Sequence, residues 1–274
     1  MSAVYMNNSK SKIKLRADKL LVIQGLAENR NKAKALIMAG LVKASGKKVE
    51  KAGDFIDKNT NLSLKQTIPY VGRGGLKLEK ALDAFELDIK GWTVLDLGAS
   101  TGGFTDCLLQ NGAEKIYALD VDTRQMDWRL RNDPRVILIN KNARYIERED
   151  FDRKIQLVTM DLSFISILKV FPAVMNVATK AKIISLIKPQ FEAGRSQVGK
   201  NGVIRDPYVH EEVLNRVVEK ILKLGFKVHG LTESPVRGQK GNREFFVLCS
   251  DKESDVNLDK LKKLIKEAVW NEKD

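Results

Sequence analysis

The chain is poor in the residues that staple or metallate proteins. Its 274 residues include two cysteines, Cys107 and Cys249, and two histidines, His210 and His229. Two thiols form no disulfide framework, and the isolated histidines suggest no ligand cluster, so no metal is expected. No apolar run approaches the roughly 20 residues that a membrane helix requires. The opening stretch "MSAVYMNNSKSKIKLRADK" lacks the apolar core of a signal peptide. No stable membrane association is expected, and the expected compartment is the cytoplasm. Acidic charge is also short: 48 Lys+Arg against 35 Asp+Glu leaves +13. Residues 1–60 hold 13 basic and 5 acidic residues, a balance of +8, so over half of the excess lies in under a quarter of the chain. A localised basic surface points to a polyanionic partner, nucleic acid before an anionic membrane.

Two segments differ in their patterning. Residues 1–64 read as a small α+β domain with a basic face. Leu20, Leu21 and Ile23 lead to Gly25 as a helix stop. Asn29 is placed as an N-cap, Ala33, Leu36 and Ile37 have helical spacing, and Gly40 ends that helix. The pattern Arg16-x-Asp18-x-x-Leu21, Gly25-Leu26, Asn29-Arg30-x-x-Ala33, Ile37-x-x-Gly40-x-Val42 resembles the RNA-binding domain named after small-subunit ribosomal protein four. The resemblance implies that Lys14, Arg16, Arg30 and Lys51 contact RNA phosphates, which positions RNA without reading its sequence. Residues 65–75, "KQTIPYVGRGG", are expected to be a short interdomain joint that couples the two parts.

Residues 76–274 alternate strand and helix. "TVLDLG", "KIYALDV", "VILIN", "QLVTMDL", "KIISLIK", "FKVHGLTE" and "EFFVLCS" read as seven strands of a Rossmann-like α/β sheet, parallel except for an antiparallel end strand. In "VLDLGASTGGFTD" a strand runs into a glycine-rich turn that opens a helix. Gly98, Gly102 and Gly103 would let backbone approach a ligand beyond the strand ends. The spacing is not that of a dinucleotide loop. Asp96-x-Gly98 and the strand-ending Asp120 instead resemble S-adenosylmethionine-dependent methyltransferases. That resemblance implies a cofactor site built from Asp96, Gly98, Ser100, Gly102, Gly103 and Phe104, with Asp120 on the ribose and Asn142 near the adenine.

In "IISLIKPQFE" a lysine closes an apolar strand immediately before a proline. A buried ammonium needs a partner, and the proline holds Lys188 extended. Asp161 ends the fourth strand and Glu244 opens the last one, so all three fall at the ligand-binding edge. With Lys77 they form a Lys-Asp-Lys-Glu order that matches FtsJ-like ribose 2′-O-methyltransferases. "YVGRGGLKLEKAL", "GASTGGFTDCLL", "DLSFIS", "KPQFEAG" and "GVIRDP" closely resemble the TlyA, or hemolysin A-like, family. The resemblance implies ribosomal RNA as partner, cytidine ribose as methyl acceptor and S-adenosylmethionine as cofactor. Lys188 would take the proton or stabilise the alkoxide, Lys77 and Glu244 would orient the hydroxyl, and Asp161 would steer Lys188 and touch the cofactor.

Other acceptors fit less well. The place after strand four reads "MDLSF", not the Asn/Asp-Pro-Pro-Tyr/Phe of amino-group methylation. Cys107 and Cys249 sit among apolar residues and read as core fillers rather than nucleophiles. A non-catalytic RNA-binding assembly factor is the alternative. A pore-forming activity, suggested by the hemolysin label, has no supporting segment.

Overall fold

In a computed structural model, residues 13–64 and 69–271 are described and fall into two compact units. The first twelve residues, positions 65–68 of the expected joint and the last three residues lie outside the described ones.

The first unit runs β1 (Lys14–Arg16), α1 (Ala17–Ile23), α2 (Arg30–Met38), β2 (Val42–Ala44), β3 (Lys47–Lys48), β4 (Phe55–Asp57) and β5 (Leu62–Leu64). The Asn29 side chain accepts from the Lys32 N–H, so α2 begins where its cap was read. Leu20, Leu21, Ala33 and Ile37 meet Val42, Val49 and Leu62 in one core. Ile23, grouped with Leu20 and Leu21 ahead of the helix stop, is 55% exposed. It falls on the helix's last position, one residue past the face set by Leu20 and Leu21. Strand β1 was not legible, because three residues are too short a run to show a strand period; β4 holds it by antiparallel pairing.

The anchor of this unit is a buried acid. Asp18 has no exposed surface. Its Oδ1 accepts from Arg16 Nε at 3.1 Å, and its Oδ2 from Arg16 Nη2 at 3.1 Å and Arg30 Nη2 at 2.8 Å. Both guanidiniums stay partly exposed, at 42% and 54%. They are therefore held in fixed directions with remaining N–H groups free to meet an anion. Lys14 and Lys51 are exposed.

The second unit runs α3 (Arg73–Ala84), β6 (Thr93–Leu97), α4 (Gly103–Gln110), β7 (Lys115–Asp120), α5 (Trp128–Arg131), β8 (Val136–Asn140), β9 (Leu157–Met160), α6 (Phe171–Val177), β10 (Lys182–Ile187), α7 (Pro189–Glu192), α8 (Pro207–Lys223), β11 (Lys227–Glu233), β12 (Phe245–Ser250) and α9 (Leu258–Trp270). Helix α3 thus starts inside the stretch read as a joint. Residues 69–72 pack onto this unit: Tyr70 lies against Gly75 and donates to Glu79 Oε1, and the Val71 N–H donates to Asp106.

The seven strands form one sheet in the order β11-β12-β10-β9-β6-β7-β8. Only β12 runs against the other six. It was expected at the sheet end, but it lies between β10 and β11. The interior place explains why all six of its residues are buried. Alternate residues feed two cores, with Leu95 and Leu97 on one face and Val94 on the other. The order reverses between β6 and β9, which makes their carboxyl ends the place where an open α/β sheet leaves a crevice.

Asp18 lies well below the usual carboxylate range, at about 2, chiefly through its hydrogen bonds to Arg16, with burial opposing and Arg30 assisting. A depressed folded value lends stability that is present above the ordinary value of 3.8 and is lost as pH falls toward about 2. Amide exchange in α1 is expected to accelerate across that window in the native chain. Asp18→Asn should exchange faster already at neutral pH and show no such window; exchange that matches wild type at every pH would contradict the anchor.

Candidate active site

The switch point is closed by a glycine. Gly98 follows β6 at φ +83, and a Cβ there would stand 2.6 Å from the Asp161 carbonyl oxygen. Only glycine lets the ends of β6 and β9 come this close. Ser100 also takes a left-handed backbone, φ 49, and its N–H donates to Asp120 Oδ2 at 2.9 Å. The other Asp120 oxygen accepts from the Asp122 N–H at 3.0 Å. Asp120 is thereby fixed at the end of β7.

Gly102 and Gly103 do different work from the ligand approach read from the sequence. A Cβ on Gly102 would stand 2.2 Å from Leu130, and one on Gly103 would crowd the Gly74 and Gly75 backbone at 3.1–3.3 Å. Gly102 thus makes room for Leu130 of α5, and Gly103 brings the first turn of α4 against the first turn of α3. That contact carries Lys77 to the strand edge, where its Nζ meets Glu244 Oε2 at 2.6 Å across 167 residues of sequence. Phe104 is buried in the same contact.

A second pair lies at the same edge. In the β10–β12 register Ile187 faces Phe245, so Lys188 and Glu244 leave the sheet side by side. Lys188 Nζ lies 2.7 Å from Asp161 Oδ1 and donates to Ser163 Oγ at 2.9 Å. The Lys188–Asp161 approach is close but poorly aligned, which leaves Asp161 Oδ1 without a directed hydrogen bond. Both lysines are largely buried, Lys77 9% and Lys188 8% exposed. Each can stay in the interior only because a carboxylate is beside it.

Two clefts open on this edge. One, of about 930 Å³, is lined by Gly98, Ser100, Asp120, Asn142, Asp161 and Phe164 among others. The other, of about 280 Å³, includes Lys77, Gly98, Ser100, Phe104 and Asp161. They share Gly98, Ser100 and Asp161. The arrangement can hold an elongated ligand in the first and present an acceptor group to Lys77 and Asp161 in the second; Lys188 and Glu244 line neither cleft and stand behind Asp161 and Lys77, their ion-pair partners.

Of the residues read as cofactor contacts, Asp96 lies elsewhere. It is fully buried and lines neither cleft; Thr105 Oγ1 donates to one oxygen and Thr159 Oγ1 to the other. It ties β6 to α4 and β9. Burial pushes its carboxyl up to about 6, against the two hydroxyl donors. Gly102 lines neither cleft either. Ser163 and Phe164 had no role assigned from the sequence. Phe164 is 87% exposed at φ 63 beside Ser163, an aromatic ring held out at the cleft by a rare backbone conformation. The signal was present in "DLSFIS", directly after Asp161. Both cysteines are buried, and burial pushes their thiols up, Cys107 to about 12. His210 is buried, and burial pushes it down to about 4.

A largely parallel α/β sheet with a crevice at its switch point and an acid ending its second strand is a Rossmann-like nucleotide-binding arrangement. The FtsJ-like methyltransferase family matches residues 70–251, and the chain belongs to it; an S4 domain matches residues 15–62. The chain is 41% identical over 236 residues to TlyA of Mycobacterium tuberculosis, named a 16S/23S rRNA (cytidine-2'-O)-methyltransferase, with 85% of this chain and 88% of that one covered. It is 44% identical over 234 residues to Hemolysin A of Brachyspira hyodysenteriae, covering 84% and 98%. A Streptococcus thermophilus protein solved under the name hemolysin superposes with a TM-score of 0.71 at 42% identity, covering 94% of this chain and 96% of that one. Among the described residues, no helix is long and apolar enough to cross a membrane.

Two outcomes follow. A carboxyl raised in the fold lends less stability as pH rises from its ordinary value of 3.8 through about 6. Asp96→Asn should flatten that decline in thermal or urea unfolding. A variant with the wild-type pH curve would contradict the assignment. Gly238 lies against Glu244, since a Cβ there would stand 1.9 Å from Glu244 Oε1. Gly238→Ala should push the carboxylate off Lys77 and lower methyl-transfer turnover by roughly a hundredfold without unfolding the chain. Full turnover in that variant would show that the Glu244 position is not critical.

Proposed function

We propose that the chain is a cytoplasmic, S-adenosylmethionine-dependent ribosomal RNA ribose 2′-O-methyltransferase whose acceptor is a cytidine in ribosomal subunits. The observation that carries this reading is the meeting of two clefts at Asp161, with both lysine–carboxylate pairs on the same sheet edge. The residues of the larger cleft suit the cofactor. Asp120 keeps lone pairs for ribose hydroxyls beyond the two N–H groups it accepts. Asn142 lines the same cleft on the adenine side. The Asp161 carboxylate lines both clefts, which suits it to face a sulfonium held between them.

S-adenosylmethionine supplies an activated methyl group. The chain's own residues must place the ribose hydroxyl and remove its proton. Lys188 Nζ is positioned to receive that proton after giving up one of its own to solvent, and Asp161 beside it stabilises the ammonium that re-forms. Lys77, held by Glu244, orients the hydroxyl from the other side. Ser163 fixes the Lys188 side chain through its hydroxyl. Phe164 offers a ring face to an unstacked base. Positioning accounts for much of the rate, because the reactive group arrives with the cofactor. The first unit supplies RNA docking through Lys14, Arg16, Arg30 and Lys51. Arg16 and Arg30 are held ready by Asp18.

The test uses labelled S-adenosylmethionine with separate 30S-type and 50S-type subunits that lack the modification. Wild type should place label in ribose, and Lys188→Ala should lose at least about a hundredfold in rate while retaining cofactor affinity. Tight subunit binding with no label in any fraction would overturn the reading in favour of an assembly factor.

A further inference from the structure

Two further clefts lie beside the acceptor cleft on the second unit. One, of about 990 Å³, is lined by Lys80, Arg205, Arg237 and Lys240, among others; the next, of about 670 Å³, by Lys200, Arg205 and Lys240. They are connected through shared side chains. Arg237 lines both the acceptor cleft and the larger of these. Arg205 and Lys240 line both of the outer two. A continuous cationic path therefore leaves the catalytic edge at Arg237 and runs outward over Lys240 and Arg205 to Lys200.

The charges on this path are not neutralised within the fold. Among the described residues, Lys80, Lys200, Arg205 and Lys240 pair with no carboxylate. Arg237 has only Glu233, at 3.7 Å. Glu233 is already engaged by Arg243 through both oxygens, at 2.7 and 2.9 Å. Of the other acids nearby, Asp206 caps α8 by accepting from the Tyr208 N–H, and Glu267 lies 3.7 Å from Lys263. Elsewhere on this unit Arg124, Arg129, Arg135 and Arg153 each hold an acid at 3.0 Å or less.

The loops that carry the path are built to a fixed shape. Asn201 and Gly202 turn left-handed at φ 68 and 75, and Lys240 and Gly241 at φ 59 and 88. Asn242, 3% exposed, cross-links the two turns: its Oδ1 accepts from the Ile204 N–H and its Nδ2 donates to the Gly202 carbonyl. Left-handed backbone at non-glycine residues persists only where the surroundings impose it. Here a buried amide imposes it on both loops at once.

We infer that this path holds the RNA backbone leading away from the target nucleotide. Arg237 is a positioning residue for the phosphate next to the reacting ribose, and Lys240 and Arg205 hold the following phosphates. A 2′-hydroxyl is always flanked by phosphodiesters, so a strand that delivers it to the acceptor cleft must run anionic groups past the cleft mouth. Cations without internal partners are what such a strand neutralises, with release of its counterions. This inference rests on RNA as the acceptor.

The experiment measures binding of the full chain to the unmodified large and small ribosomal subunits across a potassium chloride series. Arg237→Ala, Lys240→Ala, Arg205→Ala and the triple variant are compared with wild type. Lys227→Ala is the control, since Lys227 pairs with Ser250 at the opposite end of β11. Each single change on the path should reduce the slope of log affinity against log salt by about 1, and the triple by about 3, with Arg237→Lys restoring the slope. Lys227→Ala should leave it unchanged. A triple variant with the wild-type slope, or a control that loses as much as the path variants, would overturn the inference. The readout needs no methyl transfer. A wild type that binds with a path-dependent slope but transfers no methyl group would sink the catalytic reading and leave the path in place.

Discussion

Two lysines are buried at the carboxyl edge of a parallel sheet, and each can be there only with a carboxylate beside it. Leaving one such charge unpaired in the interior costs about 3–5 kcal/mol, so the fold must deliver Asp161 to Lys188 and Glu244 to Lys77. Those deliveries impose much of the surrounding architecture. Asp161 arrives because Gly98 allows β6 and β9 to close on each other. Glu244 arrives because β12 runs antiparallel between β10 and β11, which starts it at the edge where the parallel strands end. Lys77 arrives because Gly74 and Gly103 let α3 sit on α4. The same requirement explains why the antiparallel strand is interior: an edge position would move Glu244 one strand further from Lys188.

The parts of this that were legible in the sequence share a physical origin. The seven strands could be read because each is an apolar run between turn-forming or helical segments. Lys188 could be read because a charged residue closing such a run demands a partner. Asn29 could be read because a cap has a local signature. What escaped depends on tertiary contacts between positions far apart. Nothing local marks Thr105 and Thr159 as the partners that hold Asp96 in the core, where it lines neither cleft. Ser163 gains its role only when β9 and β10 lie side by side. Short elements such as β1 are stabilised by their pairing rather than by their own residues. The resemblance of the long motifs supplied the tetrad, and the geometry explains why those residue types occupy those places.

The two units handle charge in contrasting ways. In the first, a single buried acid organises two arginines and leaves them half exposed. In the second, many surface arginines are closed off by acids two residues away in sequence, as at Asp122–Arg124, Asp127–Arg129 and Asp133–Arg135. Against that background the unpartnered cations around Arg205 and Lys240 stand out as charge kept for something outside the chain. Net charge alone would not separate these cases.

In the proposed reaction the two lysine–carboxylate pairs act together on one hydroxyl. A double-mutant cycle in single-turnover methyl transfer tests it most directly, with Lys188→Ala, Glu244→Ala and the combined variant. One residue is taken from each pair, so no direct contact is being broken twice. Residues acting on a common transition state give strongly non-additive losses, and the double variant should be little slower than the worse single one. Losses that simply add in free energy would show two independent sites and would contradict the account.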